Sequence, residues 1–332
     1  MKRFTMLKAS LCALCLVVAL SCSENKTDSS ATPIPQTLSS EKVKVVNGVL
    51  VFANQQEFDN TVKALRNKDS KILDEWETQF TEFTSMRKAY NSITEADMIK
   101  IGESQSLQGY DNYITIITTN GEKEATRTIG SDAIATLFNK DGIAIIGEDA
   151  YKYKFEKIIK VLKATPAEIN ALASFNPQGL KSKVKEIALI RKVNGQTLSV
   201  KNGRPEGIQD DHCLDQYANN RRLVGESNVT WTNNWQTFAS VTCVAKHQKR
   251  VLGTWWAESI PKIRLTLVSY LTNANSGYYA PPPVPNPKDE DNDGYVRMDM
   301  DDCPCNGTIA YTAWGKLSNN DERTCSESET SY

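Results

Sequence analysis

The segment KIRLTLVSYLTN, residues 262–273, determines the fold class expected for the second half of the chain. Apolar side chains at Ile263, Leu265 and Leu267 alternate with polar ones at Arg264 and Thr266. Successive side chains of a strand point to opposite faces of a sheet, and one face of an antiparallel sheet is often solvated. The alternation therefore predicts a half-buried antiparallel strand.

Strand-like runs surround this segment on both sides. They are RRLVGESNVTW (221–231), TFASVTCVAKHQ (237–248), RVLGTWWAES (250–259) and GTIAYTAWGKL (307–317). Several such strands without helical signals are typical of a sandwich, so we expect an antiparallel β-sandwich-like domain over 180–317. The proline-rich run APPPVPNPK predicts a stiff spacer, and residues 318–332 read as a polar tail.

The first half, residues 43–176, mixes helical and strand signals and predicts an α+β domain. Residues 43–52 read as one strand, or as two short strands around a tight turn at Asn47-Gly48. Phe58, Val62 and Leu65 recur at helical spacing, which predicts a helix. A stronger stripe predicts a second, longer amphipathic helix; its members are Leu73, Trp76, Phe80, Phe83 and Met86.

Further elements of the first half are read from caps and turns. Thr94 with Asp97 resembles a capping box, and Thr165 followed by Pro166 predicts the start of a later helix. Between them we expect a strand in NYITIITTN, a short helix after Ser131, and a hairpin with strands near 143–146 and 151–162. A run at 176–179, NPQG, predicts the boundary between the two domains.

The N-terminus carries the pattern of an exported protein. Lys2, Arg3 and Lys8 precede an apolar run of about ten residues, which is too short to span a bilayer core of about 30 Å. Small residues then precede Cys22. The pattern resembles the bacterial lipobox, which implies a signal peptide over 1–21, lipidation of Cys22 with palmitate-like acyl chains, and a membrane as partner. The alternative is an ordinary signal peptide with an incidental cysteine.

A polar stretch rich in Ser, Thr and Pro follows at 22–42 and predicts a disordered tether. The arrangement resembles lipoproteins of the Bacteroidetes, and Glu24 partly matches their export signal, so we expect an outer-membrane, surface-exposed location. The first half also resembles uncharacterised lipoproteins of that group through NG.LVF at 47–52 and LFNKDGI..IGEDAYKY at 137–153. That resemblance implies no activity.

Charge and cysteine content narrow the function classes. The chain has 39 basic and 40 acidic residues, so nothing indicates bulk nucleic-acid binding. Five cysteines lie in the second half of the chain, and an oxidising envelope favours disulfides there. These disulfide candidates are Cys213, Cys243, Cys303, Cys305 and Cys325. We expect Cys325 to join Cys303 or Cys305.

The acidic segment 286–305 contains DEDNDGYVRMDMDDCPC and resembles one thrombospondin type-3 repeat. The resemblance implies a structural calcium ion, with Tyr295 offering its carbonyl and the other ligands being Asp289, Asp291, Asp293, Asp299 and Asp301. The sequence departs from the pattern at Arg297, and the Cys-Pro ending comes one residue late. Met300 occupies the twelfth position, where an EF-hand has a bidentate carboxylate. The alternative is a solvated acidic loop.

Enzyme motifs are not found in the sequence. With two histidines and no H-E-x-x-H, G-x-S-x-G or P-loop pattern, we expect no catalytic residues; His212 beside Cys213 is a weak exception. His247, in KHQKR, is expected at a solvated edge. Trp235, Trp255 and Trp256 are candidate binding residues for a glycan or protein ligand.

The adjacent pair Trp255-Trp256 should face opposite sides of a strand, so one of the two is expected to reach solvent or, alternatively, to pack against the N-terminal domain. The expected function is a non-catalytic binding or adhesion module. The alternatives are a hydrolase that uses a carboxylate pair, which leaves no fixed spacing in sequence, and a structural subunit of an envelope complex.

Overall fold

All six helices of the described residues precede residue 174, and strands make up most of the rest. The computed structural model describes residues 43–119, 121–155, 157–174, 180, 184–188, 192–193, 196–197, 207–231, 238–271, 287–304 and 307–331. These residues belong to the unit Ser39–Tyr332. The chain is a mixed α+β protein in which β-structure predominates. The expected signal peptide and tether, the boundary at 176–179 and most of the proline-rich spacer lie outside the description.

Each helix begins after a side chain that caps it. The helices are α1 (Gln55–Leu65), α2 (Ser70–Glu77), α3 (Met86–Asn91), α4 (Glu95–Ser104), α5 (Asp132–Leu137) and α6 (Pro166–Ala173). Their N-cap oxygens, on Asn54, Asp69, Ser85, Thr94, Ser131 and Thr165, accept hydrogen bonds from backbone N–H groups of the first turn. The capping box at Thr94 and the cap at Thr165 are confirmed.

The strands are numbered in chain order. They are β1 (Lys44–Val46), β2 (Val49–Phe52), β3 (Ile114–Thr119), β4 (Glu122–Arg127), β5 (Ile143–Ile146), β6 (Asp149–Tyr153), β7 (Lys157–Val161), β8 (Val184–Ala188), β9 (Lys192–Val193), β10 (Gln196–Thr197), β11 (Gly207–Ala218), β12 (Arg221–Trp231), β13 (Phe238–Val251), β14 (Thr254–Ala257), β15 (Ile260–Leu271), β16 (Lys288–Asp293), β17 (Tyr295–Pro304), β18 (Gly307–Ser318) and β19 (Asp321–Ser331).

In the first half, the turn at Asn47-Gly48 agrees with the sequence prediction, and two element boundaries differ from it. Asn47 and Gly48 have positive φ and join β1 to β2, so the two-strand alternative is confirmed. The strand expected over 151–162 divides into β6 and β7, which pair as a hairpin. The long helix expected through Met86 is wrong: α2 ends at Glu77, Glu82 adopts a left-handed φ of 65°, and Ser85 bridges to Asn139 before α3 begins.

One sheet combines strands from both halves of the chain. Its order is β11-β12-β13-β14-β4-β3, and β17 also pairs with β13. The long strand β13 contacts β17 along its first part and β14 along its last four residues. β14 and β4 run parallel, with Thr254 opposite Lys123 and Trp255 opposite Glu124. The division into two domains remains a prediction. This sheet contains strands from both of the predicted domains.

A four-stranded sheet, β16-β15-β18-β19, shares one apolar cluster with the larger sheet. The cluster draws side chains from β11, β12, β13 and β17 on one side and from β15, β18 and β19 on the other. Ile263, Leu265 and Leu267 of the opening segment are buried in it, as their alternation predicts. Residues expected to form a polar tail form β19, whose charged sequence suits an edge strand.

A disulfide links the two sheets at their edges. Cys213 on β11 bonds Cys325 on β19, so the expectation that Cys325 joins Cys303 or Cys305 is wrong. The bridge depends on Gly225, because a Cβ there would lie 2.7 Å from Cys213 Sγ and 2.6 Å from a ring carbon of Tyr311. Cys243 is fully buried in the same cluster.

The chain passes between the two sheets at two adjacent corners. Residues 258–259 lead from β14 in the larger sheet to β15 in the smaller one, and Gly294 leads from β16 in the smaller sheet to β17 in the larger one. A Cβ at Gly294 would collide with the backbone of Glu258, including its carbonyl oxygen. Gly294 is therefore needed for a steric reason: the two chain segments cross so closely there that a side chain would not fit.

Candidate functional site

The acidic segment is built as two strands that belong to different sheets. Asp289 accepts a two-point contact from Arg264, at 2.5 and 2.9 Å, and lies 3.0 Å from Lys262 Nζ. Asp291 is exposed and lies 3.8 Å from the same lysine nitrogen. The cations of β15 therefore neutralise the first two predicted calcium ligands.

Asp293 and Asp299 are also committed to protein partners. Asp293 Oδ1 accepts from the backbone N–H groups of Gly294 and Tyr295, and its Oδ2 accepts from Ser70 Oγ at 3.1 Å. Burial raises the pKa of Asp293 above its ordinary value. Asp299 pairs with Arg297 at 2.6 Å.

The side chain of Asp301 lies outside the described residues. Within the described part, no group of three or more His, Cys, Asp or Glu side chains is arranged to hold a metal ion. The described side chains do not form a calcium cage, so the calcium expectation rests on sequence spacing alone.

A cavity of about 440 Å³ lies between helices α2 and α3 and the end of β16. Every lining residue is polar or charged. Its walls carry four carboxylates, on Asp74, Glu75, Asp291 and Asp293, and two cations, on Lys71 and Arg87; Ser70, Thr78, Asn91 and Asn292 add hydroxyl and amide groups. The arrangement offers many donors and acceptors around an acidic centre.

Arg87 is the cation held most firmly beside this cavity. It is 2% exposed and donates to Glu77 Oε1 at 2.7 Å, to Thr136 Oγ1 at 3.2 Å and to Asp74 Oδ1 at 2.5 Å. Burial alone would lower the pKa of Arg87, but Glu77 and Asp74 raise it above its ordinary value. Asp74 is therefore held at the cavity wall by a fixed positive charge.

The opposite wall is tied to the helix by Glu290. Its carboxylate accepts from the backbone N–H of Ser70 at 3.0 Å, at the start of α2, and lies 3.2 Å from Lys288 Nζ. Glu290 is 5% exposed, and burial raises its pKa. A carboxylate at a helix N-terminus is electrostatically favourable, so this contact fixes α2 against β16 and sets the width of the cavity.

The predicted tryptophan site is not formed by the adjacent pair. Trp255 is 0% exposed and Trp256 is 1% exposed, which corrects the expectation that one of them faces solvent. The guanidinium carbon of Arg222 lies 4.2 Å from the centre of the Trp255 ring. Trp256 packs with Ile101 and Ile114 from the first half, in agreement with the alternative that the outer tryptophan packs against the N-terminal part of the chain. Trp235 lies outside the described residues.

The histidine and cysteine candidates have structural surroundings. Cys213 is oxidised in the disulfide, and His212 is exposed beside it. The expectation of a solvated His247 is wrong, because this residue is 2% exposed. Its Nε2 lies 2.6 Å from the Tyr217 hydroxyl and its Nδ1 lies 2.9 Å from the carbonyl oxygen of Glu258.

Sequence reasoning missed the first-half residues of the cavity because only the apolar stripe of 73–86 was informative. Asp74 follows the first stripe position and Arg87 follows the last one, and neither belongs to a motif. The one available signal was the acidic segment, which supplies Asp291 and Asp293. No family model, curated protein or solved structure matches the chain. The described helices include none with the length and apolarity needed to cross a bilayer.

Proposed function

We propose that the chain is a lipid-anchored protein of the bacterial outer membrane, exposed at the cell surface and related to the uncharacterised Bacteroidetes lipoproteins it resembles. The support is the order of charge, apolar run and small residues before Cys22. Mass spectrometry of the mature protein should find an acylated N-terminal Cys22, and a Cys22→Ser variant should leave the membrane fraction. An unmodified thiol on the mature wild-type protein would contradict the anchor.

The folded part acts as a non-catalytic binding module, and the cavity beside α2 is its ligand site. The observation that carries this proposal is a cavity of about 440 Å³ in which every lining residue bears a polar or charged group. That volume suits a small molecule, and polar and charged residues line the cavity where hydrophobic and aromatic residues line most small-molecule pockets. A ligand with many hydroxyl groups, such as a sugar unit of a glycan, matches walls that supply both donors and acceptors.

A binding screen tests the site. Isothermal titration of mono- and oligosaccharides should detect a ligand for the wild-type protein. Glu75→Gln, at the cavity wall, should weaken binding at least tenfold. Glu103→Gln is the matched control, since Glu103 is also an exposed helical glutamate but does not line the cavity. Equal affinities of the two variants would exclude the cavity as the binding site.

A carboxylate-based hydrolase is the second candidate, favoured by carboxylates on both walls of the cavity. Asp293 has a pKa raised by burial, as a general acid requires, while Asp74 across the cavity is paired with Arg87. Chromogenic glycosides test this alternative. Turnover by the wild-type protein that Asp293→Asn abolishes would favour it, and binding without turnover would favour the non-catalytic module.

We further propose that the C-terminal β-rich part is an antiparallel sandwich, on the support of the apolar cluster shared by two sheets. A calcium ion in the acidic segment is a separate proposal that rests on spacing. Thermal melts with and without calcium test it: binding should raise the melting temperature, and Asp291→Ala should remove the rise. An unchanged wild-type melt would end the calcium proposal.

A further inference from the structure

A second, much smaller cavity lies where the two halves of the chain meet. Its volume is about 20 Å³. It is lined from the first half by α3, β4 and Gly130, and from the second half by β13, β14 and β17. Polar side chains dominate its walls, among them Tyr90, Glu124, Arg127 and Lys246.

The evidence that this cavity holds a bound molecule comes from Arg127. It is 5% exposed, it pairs with Asp132, and the ring of Tyr295 lies 4.0 Å from its guanidinium carbon. Its Nη2 is buried and has no hydrogen-bond partner among the described residues. A buried donor of a charged group that lacks an acceptor is destabilising, and native proteins satisfy nearly all such groups through protein atoms or ordered water.

The chemistry of the walls identifies the acceptor. Within the described part of the chain, the hydroxyl of Tyr90 has only a long contact of 3.5 Å with the carbonyl of Ala125. Burial raises the pKa of Tyr90 to about 12, so it stays a neutral donor. Glu124 supplies acceptor oxygens nearby. A cavity of about 20 Å³ holds one water molecule, which needs two to four polar partners. The two cations of the walls are already paired, Arg127 with Asp132 and Lys246 with Glu124, so the walls do not favour an anion over a water molecule.

We propose that one ordered water molecule occupies this cavity, accepts a hydrogen bond from Arg127 Nη2, and bridges it to wall groups of both halves of the chain. The water completes the polar contacts that link β4 to the strands β12 and β13. In the same junction Lys246 lies 2.7 Å from Glu124, and Arg222 lies 3.0 Å from Glu122. The inference does not depend on the proposed ligand site.

A crystal structure of the wild-type protein tests the proposal directly. Electron density for a water oxygen should lie within about 3 Å of Arg127 Nη2. Water–amide cross-relaxation measured by NMR should detect the same molecule in solution near residues 124–127. Absence of the density, or a direct protein partner for Nη2, would overturn the inference.

Two variants separate the water from the surrounding packing. Ala257→Val places two methyl groups at a lining position, so the density and the cross-relaxation should both disappear. Tyr90→Phe keeps the ring but removes the hydroxyl, so the water should remain with higher displacement parameters. Retention of an unchanged water in Ala257→Val would show that it occupies a different place and would contradict the assignment.

Discussion

At the scale of single residues, Gly294 shows how one position decides a fold feature. In the calcium-loop pattern this glycine would form the turn of the loop, but its φ is not positive and its role is steric. Its carbonyl accepts from His247 N–H at 2.9 Å, and its missing Cβ allows the backbone of Glu258 to approach. Backbone contacts of this kind leave no room for repacking by side-chain rotation.

We expect Gly294→Ala to lower the free energy of unfolding by about 3 kcal/mol, at the upper end for overpacked sites, because the clash involves main chain. Urea denaturation measures the change. Ser259→Ala, at the exposed neighbouring corner, is the control and should stay within about 0.5 kcal/mol of wild type. Equal stabilities of both variants would show that the two corners are not in contact.

His247 makes a second prediction at this scale, on pH. A carbonyl can only accept, so Nδ1 donates to Glu258 O, and the neutral ring accepts from Tyr217 at Nε2. Burial lowers the pKa of His247 below its ordinary value of 6.5, although the Glu258 carbonyl and carboxylate oppose the shift and Arg221 adds to it.

The unfolded chain therefore binds the proton more tightly than the folded chain. The contribution of His247 to stability is complete above about pH 6.5 and falls as the pH drops below that value. Urea denaturation between pH 5 and 8 should show a steeper loss for wild type than for His247→Gln. Parallel curves for the two proteins would contradict a neutral, buried histidine.

At the scale of elements, caps and alternation were readable from sequence, while element ends and partners were not. The capping box at Thr94 and the alternation at 263–267 are local, so a single sequence reports them. The end of α2 depends on the bridge between Ser85 and Asn139, which are 54 residues apart in sequence, and periodicity through Phe80 and Met86 does not report such a contact. The same long-range contacts bring Arg87 to the cavity.

The pair Glu77 and Arg87 gives the prediction for this scale. Both are buried, at 2% exposure each, so removing the carboxylate leaves a buried charge with fewer partners. We expect Glu77→Ala to cost about 3 kcal/mol or more of unfolding free energy. Glu75→Gln on the same helix is exposed and should be nearly neutral to folding. Chemical denaturation of both variants measures the change in unfolding free energy. No change for Glu77→Ala would contradict the packing of α2 against α3.

At the scale of the whole molecule, the disulfide joins strands at the edges of two sheets. Its cysteines are separated by 112 residues, and which strands become edges follows only from the complete pairing order. Spacing alone therefore could not identify Cys213 as the partner of Cys325. Between them the chain passes through both sheets, so the bridge restrains nearly all of the C-terminal β-structure.

The length of the loop that the disulfide closes determines how much the disulfide should stabilise the fold. Linking residues about 100 positions apart removes enough chain entropy from the unfolded state to contribute up to about 4.7 kcal/mol, and measured bridges typically contribute about 2–4 kcal/mol. A Cys213→Ala, Cys325→Ala double variant should therefore unfold at lower urea than wild type, and reductant should lower the wild-type midpoint but not that of the variant. If reductant shifts both proteins equally, the effect comes from another cysteine. If it shifts neither, the bridge between β11 and β19 contributes nothing to stability, because the two edges are already held by the shared apolar cluster.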